Sequence, residues 1–214
     1  MNRPGKKGLS KKRSLVKGLI YGVVFFALLR EAVLRQSWVS LRQSTPMFLQ
    51  EPVQLTGGKE HHWFGYFDKW CENADGFVLV MRGEQITDLP GARDTIQVGL
   101  VDKGMRFKSL ANTSAWNFQQ GTMLQWVGTG KTSSFIFNIR GVDGEIRSAI
   151  YDLQTEIIKT LPLPIYSVST DGNLAVTLNY ENLWLNRREY SFFFNKSHTS
   201  GKLGCGITIF SLNK

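Results

Sequence analysis

His61-His62-Trp63-Phe64-Gly65-Tyr66-Phe67-Asp68-Lys69-Trp70 heads a strand-turn-strand pattern that recurs about every fifty residues. Two histidines, a glycine, an aspartate and a run of aromatics make this stretch too polar-aromatic for a plain core strand. Behind it follow Phe77-Val78-Leu79-Val80-Met81, then Ile96 to Asp102, then Phe107 to Leu110. A second unit opens at Ala115-Trp116-Asn117-Phe118. It continues through Met123 to Val127, Ser134 to Asn138, Arg147 to Leu153 and Glu156 to Leu161. A third opens at Ile165-Tyr166-Ser167-Val168-Ser169 and continues as Leu174 to Leu178. Trp63 to Trp116 is 53 residues, and Trp116 to Tyr166 is 50.

Periods near this length, each built of several short strands, predict the blades of a β-propeller. Alternating or β-branched apolar runs fit half-buried and fully buried strands. Asp75-Gly76, Asp143-Gly144 and Asp171-Gly172 supply the positive-φ glycine that a tight hairpin needs. Helical periodicity is essentially absent after residue 50. The expected fold is therefore all-β: a partial propeller of four-stranded antiparallel blades over 53–214, preceded by an N-terminal apolar helix. About three blades are seen, fewer than the four to eight that close a ring. Missing blades, a partner or self-association would then complete it.

The net charge of +9 is unevenly placed. Residues 1–43 hold 10 Lys and Arg against one acid, Glu31, whereas residues 44–214 hold 16 of each sign. The folded part is neutral, so no basic face is implied and nucleic acid is not an expected partner. Residues 1–17 form a basic tail with seven cations and no acid. Residues 18–34, from Gly18 to Leu34, read as a membrane anchor. Gly18 to Leu29 carries no charge, and Lys17 and Arg30 can snorkel. A cleaved signal peptide, an organelle transit peptide and an apolar helix packed on the domain are the other readings. As an anchor, the segment leaves the basic tail in the cytoplasm and the propeller on the extracytoplasmic side of a single-pass protein. Residues 35–52 read as a linker rich in Gln, Ser and Arg.

His61, His62, Tyr66 and Asp68 head the first blade, where polar side chains line a central funnel. Imidazole nitrogens with a carboxylate suit a divalent ion, and the neighbouring aromatics suit stacking on a sugar ring. The competing reading packs the cluster between blades, with Asp68 accepting turn hydrogen bonds. Trp116 and Asn117 open the next blade and are the second binding candidate; a satisfied turn is the competing reading. Arg187 and Arg188 are a third, suited to a carboxylate or phosphate, against a plain solvated loop. Gly128-Thr129-Gly130-Lys131-Thr132 ends like a phosphate loop, but it lacks the spacer between glycines and the following helix. His198 stands alone in a polar loop. Cys71 and Cys205 form no metal motif, and sequence alone does not place them within bridging distance. Asn112-Thr113-Ser114 and Asn195-Lys196-Ser197 match the N-glycosylation acceptor. No nucleophile elbow, metalloprotease motif or other catalytic constellation is recognised, and no cofactor is expected.

The runs His61 to Trp70, Ala115 to Trp126 and Leu161 to Gly172 resemble a largely uncharacterised group of WD40-like, TolB-like β-propeller proteins. Some of these resemble proteins encoded among surface-polysaccharide genes. The resemblance covers about residues 53–212 and implies a fold, not an activity. The chain departs from it at Asn186-Arg187-Arg188-Glu189-Tyr190, where the group tends to carry an Arg-Pro-Gly-Tyr type segment. The expected function is a membrane-tethered propeller that binds a glycan or a protein. The alternative is a carbohydrate-active enzyme of lyase or glycosidase type, with a His/Asp site at the axis.

Overall fold

Strands form where the chain switches to runs of Val, Ile, Leu and Phe, and the same runs supply the core. The structure, a computed structural model, describes residues 52–84, 87–129, 132–194, 204 and 206–212. Their strands form three antiparallel sheets. Sheet I is the meander β1 (His61–Trp63), β2 (Val78–Gly83), β3 (Ile96–Val101) and β4 (Phe107–Thr113). Sheet II is the meander β5 (Gln125–Trp126), β6 (Ser134–Arg140), β7 (Ile146–Asp152) and β8 (Ile158–Leu161). Sheet III has the order β11-β10-β9, from β9 (Ser167–Val168), β10 (Leu174–Leu178) and β11 (Ile207–Ser211).

Sheet II explains how the three layers are held together. Its register pairs Phe135 with Tyr151 and Phe137 with Ala149, so these four side chains share one face. They pack with Leu79, Met81, Ile96 and Val98 of sheet I, and with Trp116, Leu124 and Trp126. Ile136 and Ile146 point the other way. They join Leu161, Ile165, Ala175, Tyr180, Phe192 and Leu212 in a second cluster beside sheet III. The strict alternation of strand side chains thus gives β6 two buried faces, and the sheets stack in the order I, II, III. β3 is covered in the same way, with only Gln97 short of full burial.

A buried polar knot crosses this stack at Asn138, which has no solvent exposure. Its Nδ2 donates to the Ile165 carbonyl at 2.8 Å, and its Oδ1 accepts from the Ile165 amide at 2.7 Å. Its own carbonyl accepts from the hydroxyls of Thr113 at 2.8 Å and Thr122 at 2.7 Å. The Tyr180 hydroxyl also donates to the Ile165 carbonyl, at 2.9 Å. One side chain therefore ties β6 to the segment that enters β9.

The apolar runs read from the sequence coincide with β2, β3, β4, β6, β7, β8 and β10 to within a few residues. Gly76, Gly144 and Gly172 all have positive φ (79°, 82° and 73°), as hairpin turns at Asp-Gly demand. The repeat also shows where it was not sought. Asp102 and Asp152 occupy the same place at the β3–β4 and β7–β8 turns. Asp102 accepts backbone N–H groups of Gly104 and Arg106, and Asp152 those of Gln154 and Thr155.

Two expectations are corrected. Of the expected unit openings, the first holds β1 (His61–Trp63) and the third holds β9 (Ser167–Val168), but the second does not open at Trp116. Sheet II opens at Gln125–Trp126, and Trp116 lies in no strand, because residues 117–121 fold into a turn before pairing with β6 begins. A helix is also present after residue 50: α1 spans Tyr180–Asn186, followed by a 3-10 turn at Arg188–Tyr190. Asn179 starts it, its side chain accepting from the Asn182 amide at 2.9 Å. The basic tail, the anchor from Gly18 to Leu34 and the linker up to residue 51 lie outside the described residues, as do His198 and Cys205. No helix among the described residues is long and apolar enough to cross a membrane.

Candidate functional site

The first leg of sheet I contains more residues than its partner strand can pair. Trp63 sits opposite Met81, and Glu72 opposite Val78. Only Leu79 and Val80 lie between those partners on β2, so most of residues 64–71 must leave the sheet. Pairing resumes where the Cys71 carbonyl accepts from the Leu79 amide at 2.8 Å. The excursion crosses the backbone of the second unit so closely that a Cβ on Gly65 would lie 2.6 Å from the Leu124 carbonyl oxygen. Only glycine allows that approach.

Lys69 pins the excursion. Its side chain is 3% exposed, and its Nζ lies 2.8 Å from Asp68 Oδ2 and 3.5 Å from Ser167 Oγ. The ammonium also stands 4.9 Å from the centre of the Tyr166 ring. Asp68, whose side chain is 41% exposed, keeps water access while neutralising the buried cation. Burial pushes the Tyr166 phenol upward, the charges of Asp68 and Tyr66 add to the shift, and the Gln120 amide opposes it. Tyr166 is therefore a neutral phenol at physiological pH.

Between this excursion and the first strands of sheets II and III lies a cleft of about 590 Å³. Asp68, Lys69, Trp70 and Glu72 form one wall, and Gln125 with Ser167 to Thr170 forms another. Gln125 is buried and fixed, its Oε1 accepting from the Val168 amide at 2.9 Å and its Nε2 donating to the Met123 carbonyl at 2.9 Å. Trp126 props the floor by donating its indole N–H to the Cys71 carbonyl at 3.0 Å. Trp70 is 78% exposed, although large aromatics are ordinarily buried. Cys71 does not line the cleft, and burial is the main cause that raises its thiol.

The residues singled out in the sequence are dispersed. His61 is exposed on β1, and neither histidine lines the cleft. His62 packs edge-on to Phe107 at 5.9 Å. Tyr66 lies against Phe67 at 4.4 Å, and its carbonyl accepts from the Lys69 amide. Asp68 alone of that group lines the cleft. Among the described residues, no three His, Cys, Asp or Glu side chains come together as a metal site. Trp116 is 2% exposed, tilted against Trp63 with ring centres 5.4 Å apart, and donates its indole N–H to the Asp94 carbonyl at 2.7 Å. Asn117 is buried and holds its turn, Oδ1 accepting from the Gln120 amide at 2.7 Å. Both serve packing, although Trp116 also borders a second cleft of about 450 Å³ among Glu60, Arg82, Arg93 and Gln97. Arg187 pairs with Glu189 at 3.4 Å, and Arg188 lies over Trp184 at 5.4 Å. Gly128 and Thr129 belong to the β5–β6 connection, not to a strand-to-helix phosphate loop.

Sequence reasoning missed Lys69, Trp70, Glu72, Gln125 and Ser167 as site residues. The signal that finds Lys69 to Glu72 is the surplus of residues between the two points where the first leg can pair. Comparisons with protein-family models, with curated proteins and with solved structures find no match for this chain.

Proposed function

We propose that the chain is a membrane-tethered binding module of propeller type, and that its cleft holds a glycan against Trp70. The exposure of Trp70 at the cleft wall carries the reading. A flat indole beside Asp68 and Glu72 carboxylates and Ser167 and Thr170 hydroxyls offers a stacking face and hydrogen-bond partners for a hydroxylated ring. Three successive meanders stacked face to face, with the cleft beside the first strands of sheets II and III, support the propeller reading. The basic tail followed by an uncharged apolar stretch supports the tether.

A hydrolytic alternative rests on Asp68 and Glu72 sharing one cleft, since paired carboxylates perform glycosidic chemistry. Titration of the full chain with neutral oligosaccharides, followed by tryptophan fluorescence and calorimetry, tests both. Binding that falls at least about tenfold in Trp70→Ala supports the module. Turnover lost in both Asp68→Asn and Glu72→Gln supports the enzyme. Binding that is indifferent to Trp70 rejects the proposed site.

A further inference from the structure

Hydrogen-bonding capacity in the Trp70 cleft is spent unevenly. The donors of its walls are committed inward. Lys69 gives its ammonium to Asp68 Oδ2 at 2.8 Å and faces Ser167 Oγ at 3.5 Å. Gln125 Nε2 spends both its hydrogens, on the Met123 and Tyr166 carbonyls at 2.9 and 3.2 Å. Asn73 is buried and turns its Nδ2 onto the Thr132 carbonyl at 3.0 Å. The Ser169 hydroxyl lies against Asp171 Oδ1 and accepts from the Leu174 amide at 3.0 Å. The carboxylates, by contrast, have acceptor capacity to spare. Glu72 is exposed and makes no hydrogen bond or ion pair through its side chain among the described residues. Asp68 Oδ2 neutralises Lys69, and its Oδ1 accepts nothing from the described residues. One cation and two anions line the cleft, so its described walls sum to −1.

We infer that the cleft selects a saccharide carrying a free amine: an ammonium-bearing amino sugar, its ring on the Trp70 indole and its charge on Glu72. This rests on the glycan reading above and narrows it. The uneven donors and acceptors select that class. An indole face attracts a cation through its quadrupole, and a carboxylate without a partner completes the charge. A uronic acid would set a second anion beside Glu72 with no uncommitted cation to meet it. An N-acetylated sugar gives up the charge and brings a carbonyl that the spent amides of Gln125 and Asn73 do not serve. Because Glu72 is open to water, the preference is expected to weaken as salt is raised.

The test is calorimetric titration of the full chain, in non-ionic detergent and mildly acidic buffer, with a β-linked glucosamine oligosaccharide, its N-acetylated form and a galacturonate oligosaccharide of equal length. The free-amine form is expected to bind at least about tenfold tighter than either of the others. Glu72→Gln is expected to abolish that preference, and Trp70→Ala to weaken every saccharide that binds. A native chain that holds the free-amine and N-acetylated forms alike overturns the inference and leaves the glycan reading in place, whatever the variants do. A preference that survives Glu72→Gln overturns it as well. Spermine bound as tightly as the free-amine oligosaccharide removes a sugar as the occupant. Binding of none of the three saccharides removes the glycan reading and this inference together.

Discussion

Replacing Asn138 by alanine should damage this protein more than the loss of one surface-sized side chain suggests. The substitution leaves the backbone of β6 intact. The Asn138 amide still donates to Thr122, and its carbonyl still accepts from the two threonine hydroxyls. What disappears is the two-point grip on Ile165, at 2.7 and 2.8 Å. The two broken bonds have unequal consequences. The Ile165 carbonyl keeps the Tyr180 hydroxyl at 2.9 Å, whereas its amide is left without a partner in a residue with no solvent exposure. An orphaned buried donor costs about 1–3 kcal/mol, and the lost carbonyl bond adds about 1 kcal/mol. The expected destabilisation is therefore roughly 2–4 kcal/mol, which for a domain of this size lowers Tm by roughly 5–15 °C.

Tyr180→Phe removes only the third bond and is expected to cost about 1 kcal/mol. The double variant is expected to exceed the sum of the two, because the Ile165 carbonyl then loses both donors. Urea unfolding of the full chain, followed by circular dichroism, gives all four corners of the cycle. A loss below about 1 kcal/mol in Asn138→Ala, or strict additivity with Tyr180→Phe, would refute the view that this knot joins the sheets.

Three further outcomes are expected. Gly65→Ala places a Cβ 2.6 Å from a backbone oxygen that cannot swing aside, so it should cost about 1–3 kcal/mol; an unchanged melt would show that the excursion rides more loosely. Asp152 and Asp171 are held at about 2 by backbone and hydroxyl donors, below the ordinary 3.8, so each stabilises the fold fully above pH about 4 and loses that contribution as pH falls through about 2. Tm measured from pH 5 to 2 should fall, and the Asp152→Asn, Asp171→Asn double variant should show a shallower slope. Cys71, raised chiefly by burial, should react with iodoacetamide at neutral pH more slowly than a free cysteine peptide, measured in a Cys205→Ser background; an equal or faster rate would contradict its placement.

Strand positions were legible because apolar alternation and Asp-Gly turns are local signals. β10 was read at its observed bounds, and the three turn glycines carry the expected positive φ. The opening of sheet II was not legible. Trp63 and Trp116 recur at a suggestive interval, yet they meet in the core, and the interval counts loop residues that strand pairing excludes. The two adjacent histidines looked like a site, but neighbours on a strand project to opposite faces and seldom converge. Helix α1 is seven residues long, too short for a period to show, although Asn179 followed by Glu181 is a readable start. Lys69 illustrates the remaining gap. A lysine in sequence is presumed solvated, and only its loop folding back over Tyr166 and Ser167 makes it a buried pin.

β6 forms a common wall between two rooms. Phe135 and Phe137 furnish one cluster, and Ile136 the other, from successive residues of a single strand. Neither cluster can loosen without exposing a face of that wall, so opening free energies should be graded across the molecule rather than split between independent units. Amide exchange is then expected to be slowest at β6 and β7 and to quicken outward through sheets I and III. Slow exchange should reach β3 and β10 before it reaches β4 or β11. The order in which protection is lost would trace the chain's folding hierarchy from its middle sheet outward.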